Sequence, residues 1–299
     1  MHKYLFLFDT EIYLYAVLNV FSFFPFLIFN ICHYKQKQTA LSTLSVQAVT
    51  ACRKNLRINT RLRFLKSTTF WTITEIILLS CIQYFPMLFL TSVFSSLFKT
   101  GSNFFGYLFL LPLLLHVIYW LIGLDPRKQS DLTSPAYPLI LVFTKIGCFF
   151  AGCCNGIESN SFGMYNHSTF RMEIPVQLIE SGCALLIFIV LCLIRKKVKS
   201  GTIYPLYMIL FSAARFCSEF LRSEDNILGP LKKYHIFCLV GIVFGIIQYI
   251  IVCRYGEQLS AFIGGGLPAL IGKLRNAYGK SKKKKQKQKQ KQKQKSKKH

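Results

Sequence analysis

The sequence predicts an all-α integral membrane protein of about seven transmembrane helices, N-terminus out, C-terminus in, with a disordered Lys/Gln-rich tail. Three observations predict it. Apolar residues make up 52% of the 299 and fall in long blocks rather than periodic stripes, giving a mean hydropathy of +0.38. A bilayer core needs roughly 20 apolar residues per helical span. Six blocks reach about that length: Glu11–Ile31, Phe70–Phe98, Asn103–Leu124, Ile174–Ile194, Thr202–Leu221 and Tyr234–Cys253. The loops between them are rich in lysine and arginine on alternate sides, as the positive-inside rule requires. Buried soluble helices are seldom so long or so uniformly apolar, so a soluble globular domain is excluded.

In chain order, the first block opens MHKYLFLFDTEIYLY, with Asp9 and Glu11 ahead of the apolar run. It outruns the roughly 7–15-residue apolar core of a signal peptide and lacks a small-residue cleavage site, so a retained span is expected. The loop 33-69 carries Lys35, Lys37, Arg53, Lys54, Arg57, Arg61, Arg63 and Lys66 with no acid, which places it in the cytoplasm. An amphipathic helix on anionic lipid would suit it. The chain then emerges outside at Lys99–Asn103 and returns near Arg127 and Lys128. For the parity to close, the short run Pro138–Gly152 must also cross, which leaves the polar stretch Asn155–Glu173 outside. Arg195, Lys196, Lys197 and Lys199 mark the next cytoplasmic turn, followed by one span out and one back. Residues 1-102 thus form an N-terminal membrane part, 103-256 a membrane core and 257-279 a Gly-rich interfacial segment, with 280-299 as the tail. Twelve of the lysines, and so nearly half of the net charge of +25, lie in that tail. It is low-complexity and drawn to anionic lipid rather than to nucleic acid.

Ionisable groups inside apolar blocks are costly, and each is a functional candidate. Arg215, Glu219 and Arg222 recur at i, i+4 and i+7 in LFSAARFCSEFLRSEDN, which would put them on one helical face. Arg215 and Glu219 can pair, and arginine's fork of donors suits a phosphate. A structural ion pair with a snorkelling Arg222 is the plainer alternative. In TKIGCFFAGCCNG, Lys145, Cys148, Cys153 and Cys154 alternate with Gly147, Gly152 and Gly156. Glycines allow close helix approach or unwinding. The three thiols lack the paired C-x-x-C spacing of a zinc site and their one nearby histidine is His167, so no metal is expected. The other eight of the eleven cysteines sit mostly in apolar blocks as small apolar residues. In EIPVQLIESG, Pro175 starts a helix, and Gln177 and Glu180 lie in its first turns, where a carboxylate suits the helix dipole. The chain has no internal repeat, no phosphate-binding glycine loop and no HExxH.

Taken in order, these segments resemble the prolipoprotein diacylglyceryl transferase family. KIGCFFAGCCNG is similar to its Gly-Arg-x-Gly-Asn-Phe-x-Asn-Gly-Glu signature, IPVQLIE to His-Pro-x-Gln-Leu-Tyr-Glu, and RFCSEFLRSEDN to Arg-Phe-x-x-Glu-Phe-x-Arg-x-x-Asp. Asp131, Pro135 and Pro138 stand where the family has Asp and Pro before the signature. Lys145 replaces the signature arginine, Cys148 its asparagine, Cys153 its glutamate, and Ile174 a histidine. The family's His-Gly-Gly entrance falls near Phe105-Gly106-Tyr107, with His116 one helical stretch away. The chain thus resembles a divergent, cysteine-bearing branch.

The resemblance implies a bacterial inner-membrane, multi-pass transferase without a cofactor. It would move a diacylglyceryl group from phosphatidylglycerol, or a similar anionic phospholipid, to a cysteine thiol of a preprolipoprotein, with glycerol phosphate leaving. Arg215 and Lys145 would hold the phosphate, Glu219 would orient Arg215, and Gln177 and Glu180 would bind polar headgroup atoms. Cys148, Cys153, Cys154 and Arg222 complete the expected substrate-binding set. Two alternatives stay open. In one, Cys153 or Cys154 is a nucleophile toward a different lipid or thiol; in the other, the protein binds phospholipid headgroups without catalysis.

Overall fold

A computed structural model describes residues 4–7, 10–36, 68–98, 104–122, 125–166, 169–223, 226–228 and 231–263. Most of the basic loop 33-69, the Gly-rich segment from residue 264 onward, the tail and His167 lie outside the described residues. The helices in chain order are α1 (Leu14–Phe21), α2 (Phe23–Gln36), α3 (Thr68–Phe98), α4 (Phe105–Ile122), α5 (Pro126–Thr133), α6 (Tyr137–Ala151), α7 (Val176–Ile194), α8 (Ile203–Glu219) and α9 (Lys233–Ile263). Three two-stranded antiparallel hairpins accompany them: β1 (Tyr4–Leu7) with β2 (Thr10–Tyr13), β3 (Met164–Asn166) with β4 (Arg171–Glu173), and β5 (Asn226–Leu228) with β6 (Leu231–Lys232).

Among the described residues, six helical stretches are long and apolar enough to cross a membrane, as a multi-pass protein requires: Tyr15–His33, Ile76–Phe98, Phe105–Ile122, Pro126–Ala151, Val176–Ile194 and Lys233–Gln258. The segment expected as Thr202–Leu221 folds as α8, with 17 residues. It carries Arg215 and Glu219 and packs between α7 and α9 in the bundle. The crossing expected to be as short as Pro138–Gly152 is longer. Asp125 caps α5, its carboxylate accepting from the Arg127 N–H at 3.1 Å with Pro126 at the first turn, and a 3-10 turn at Ser134–Ala136 joins α5 to α6.

The fold is turned outward toward lipid. Leu193, Phe89, Leu186 and Val243 are exposed, while Gln83, Asn30, Ser80 and Thr144 are buried. With no water to bond to in the hydrocarbon, the inner polar groups find one another. Asn30 donates to Ser80 at 3.0 Å, Thr144 to Asn19 at 2.9 Å, and Gln83 to the Tyr119 hydroxyl at 2.6 Å. At the centre Tyr107, Tyr137, Tyr204 and Tyr207 form an aromatic cluster, and Phe26 stacks on Tyr137 at 5.9 Å. Lipid gives helices no hydrophobic drive to associate, so close packing has to supply it. At Gly241 a Cβ would fall 2.3 Å from Ser212 Oγ, so the lack of a side chain there sets the approach of α9 to α8. Asp131 on α5 accepts from the N–H groups of Gly201 (2.5 Å) and Ile203 (3.2 Å), tethering the start of α8.

Candidate active site

Four segments converge on one carboxylate. α6 brings Lys145, α7 brings Glu180 in its second turn, the last turn of α8 brings Arg215 and Ser218, and the chain just past α8 brings Arg222. Lys145 Nζ lies 2.6 Å from Glu180 Oε2. Arg215 Nη1 and Ser218 Oγ (3.0 Å) donate to Oε1, and Arg222 Nη2 donates to both oxygens at 3.1 Å. Glu180 is thereby saturated. Glu219, fully buried, has its Oε2 at 2.7 Å from Arg215 Nη2 and 3.8 Å from Arg222 Nε, both outside hydrogen-bond geometry. Lys232 Nζ donates to the carbonyls of Glu219 (3.0 Å) and Arg222 at the end of α8. Four buried cations, Lys145, Arg215, Arg222 and Lys232, against two carboxylates, Glu180 and Glu219, leave the cluster with an excess of two positive charges.

Arg222 does not lie on the face of the α8 helix that i+7 spacing suggested, because α8 ends at Glu219. A backbone ladder places it instead. Gly156 bridges Arg222, the Ile157 N–H bonds to the Leu221 carbonyl at 2.9 Å, and the Ser223 N–H bonds to the Asn155 carbonyl at 3.1 Å. On the other side the Ile174 N–H bonds to the Ile157 carbonyl at 3.0 Å. A Cβ at Gly156 would meet the Ile174 carbonyl oxygen at 2.2 Å, so a side chain there cannot be accommodated.

The cysteines are gathered by the end of α6. Gly152 is left-handed (φ 67°); its N–H bonds to the Phe149 carbonyl and that of Cys153 to the Cys148 carbonyl, each at 3.2 Å. This pattern closes a helix in a Schellman turn and folds the next residues back over it. Cys154, also at positive φ (63°), completes the curl, and the three Sγ atoms lie within 4.8 Å of one another. Hydrogen bonding with Cys148 and then Cys153, aided by Lys145 and Arg222, holds the Cys154 thiol below its ordinary range despite burial. For Cys153, the Cys148 hydrogen bond lowers the thiol, but bonding to Cys154 and burial outweigh it and push it up to about 11.

The charged cluster and the thiols face a cavity of about 420 Å³. Lys145, Glu180, Arg215, Ser218, Arg222 and the three cysteines line one part, and Leu141, Ala184, Ile187, Phe211 and Ala214 line the rest. Of the expected site residues, Lys145, Cys148, Cys153, Cys154, Glu180, Arg215 and Arg222 line it. Glu219 stands behind Arg215. Gln177 is elsewhere: its amide donates to the Cys153 carbonyl at 2.6 Å and holds the cysteine loop. His116 is exposed on α4, bonded to the Pro112 carbonyl at 2.6 Å, and is absent from the lining. Tyr15, Phe104, Tyr234 and Ser218 were not legible as site residues. Phe104 sits under Lys145 Nζ at 5.5 Å and Tyr234 under the Arg215 guanidinium at 5.6 Å, contacts no local pattern announces.

The model of the family described as prolipoprotein diacylglyceryl transferase matches residues 4–251. The chain is 34% identical over 133 residues to the phosphatidylglycerol–prolipoprotein diacylglyceryl transferase of Clostridium tetani, covering 42% of this chain and 53% of the relative. It is 32% identical over 138 residues to the protein of that name from Clostridioides difficile (44% and 53%), and 39% over 137 residues to that of Clostridium novyi (40% and 51%). The chain spans about half the length of the curated relatives it matches. With the family model matched across nearly all the described helices, the chain belongs to the prolipoprotein diacylglyceryl transferase family.

Proposed function

We propose that the protein transfers a diacylglyceryl group from phosphatidylglycerol, or a similar anionic phospholipid, to a cysteine thiol of a preprolipoprotein in the bacterial plasma membrane, with its N-terminus out and C-terminus in. The observation that carries this reading is the excess of cations over carboxylates buried at the polar part of an otherwise apolar cavity. An uncompensated buried charge is costly, and an anionic headgroup with apolar chains meets both halves of the site. The family membership and the names of the relatives support the choice of donor and acceptor.

Arg215, Arg222 and Lys145 hold the phosphate diester. As the acceptor sulfur forms its bond to the glycerol carbon, the carbon–oxygen bond to phosphate breaks and its electron pair goes to the phosphate oxygen. Preorganised guanidinium donors are worth most against charge that develops in this way. Glu180 spaces the three cations until lipid arrives, and Glu219 positions Arg215. Gln177 acts through the cysteine loop. The catalytic core is residues 103-256, and the N-terminal part, 1-102, contributes Tyr15 to the cavity.

The test is incubation of the purified full-length protein with labelled phosphatidylglycerol and a peptide bearing the lipoprotein cysteine. Lipidated peptide and glycerol phosphate in equal amounts support the reading. Bound lipid without either product sinks it.

A further inference from the structure

Among the described residues that line the cavity there is no histidine, and Glu180 is saturated by cations, so the acceptor thiol has no evident proton acceptor. The same cavity holds a cluster that the charged site leaves unused. Cys148, Cys153 and Cys154 all line it, and their sulfurs lie within 4.8 Å of one another. Zinc–thiolate bonds of about 2.3 Å put sulfurs around one ion about 4 Å apart, close to the spacing of this set. The turn that gathers them is fixed three ways: by the Gly152 and Cys153 N–H bonds to the helix end, by the left-handed backbone at Cys154, and by the Gln177 amide on the Cys153 carbonyl. Cys154 is one of two described non-glycine residues at positive φ, a strained position kept where the surroundings demand it.

We propose that Cys148, Cys153 and Cys154 form a three-thiolate site for zinc whose open fourth position faces the cavity and takes the acceptor cysteine thiol. Lys145 and Arg222 line the same cavity and offset the negative charge of thiolates around a divalent ion. Three protein ligands with one open position is the arrangement of reactive rather than structural zinc, and a thiol that coordinates it is deprotonated outright. This inference rests on the transferase reading for its substrate. The acceptor thiol binds zinc and releases its proton to solvent. Its sulfur forms the bond to the glycerol carbon of the lipid, the carbon–oxygen bond breaks, and the electron pair leaves on glycerol phosphate. Zinc keeps its oxidation state, and the thioether product, a weaker ligand, departs.

The test loads the full-length protein in detergent with zinc, strips loose metal on a chelating resin and measures metal content. The expected result is about one zinc per chain, falling to below roughly a tenth of that in C153S and C154S but not in C192S, a cysteine on α7 outside the cavity. Cobalt in place of zinc should show sulfur-to-cobalt absorption that shifts on adding the cysteine peptide and not its serine counterpart. Absence of zinc, zinc kept in both cysteine variants, its loss in C192S, or an unmoved cobalt spectrum each overturns the site. A protein that passes every metal test yet makes no lipidated peptide keeps the zinc site and loses the transferase reading.

Discussion

Glu180 Oε2 lies 2.6 Å from Lys145 Nζ across the packed interface of α7 and α6, joining the two segments of the sequence with least outward sign of belonging together. The lysine side of this pair makes one contact with the carboxylate. Its single charged point needs only one oxygen, while the forks of Arg215 and Arg222 take the rest of the carboxylate.

Removing the Glu180 charge should therefore be the most damaging single change in the cluster. Glu180→Gln leaves four buried cations with one carboxylate and should cost about 3–5 kcal/mol, the usual penalty for breaking a buried ion pair. The thermal unfolding midpoint in detergent checks it. A midpoint within a degree or so of wild type would mean that water reaches the cluster freely.

Arg215→Ala should lower lipid transfer by about 10²–10³-fold, the range seen when a preorganised donor to developing charge is removed. Arg215→Lys should recover only part of this loss, since the ammonium cannot bridge Glu180 and Glu219 together as the guanidinium does. Full activity in Arg215→Lys would show that charge alone is needed there.

Gly156→Ala tests the ladder that places Arg222. The new methyl would meet the Ile174 carbonyl and, at 2.9 Å, Val176 Cγ2, so about 1–3 kcal/mol of overpacking strain is expected. Arg222 should move off Glu180 as the strands part. The readout is weaker binding of phosphatidylglycerol vesicles; unchanged binding and stability would place Arg222 by some other contact.

Gln177→Leu keeps the side-chain bulk but removes the donor to the Cys153 carbonyl. Losing one buried hydrogen bond while leaving that carbonyl unpaired should cost about 1–3 kcal/mol and loosen the turn. Maleimide labelling of Cys153 and Cys154 should become several-fold faster, as an order-of-magnitude expectation for a loop opened by that energy. Equal labelling rates would show that the Schellman bonds alone hold the turn.

How far the sequence reached can be seen residue by residue. Arg215 and Glu219 were legible because both sit on one helix, where i, i+4 spacing fixes a neighbour. Arg222 was legible as a charge but not in position, because spacing assumes that the helix continues and α8 stops at Glu219. Glu180 read as a residue suited to the helix dipole, since nothing within its own segment reveals three cations from elsewhere. The spacing of the thiols in the sequence matches no zinc motif; their proximity in space comes from the left-handed backbone at Gly152 and Cys154.

The sequence by itself determined that this chain lives in a membrane, roughly where most of its long apolar helices fall and which family it joins. Hydropathy is a sum over neighbouring residues, and a span needs nothing else to be favourable in lipid. Only the tertiary structure decided that one carboxylate would collect Lys145, Arg215 and Arg222, and that three sulfurs would share a wall with them. In hydrocarbon a buried charge must find partners, and those partners come from whichever helices the packing brings alongside.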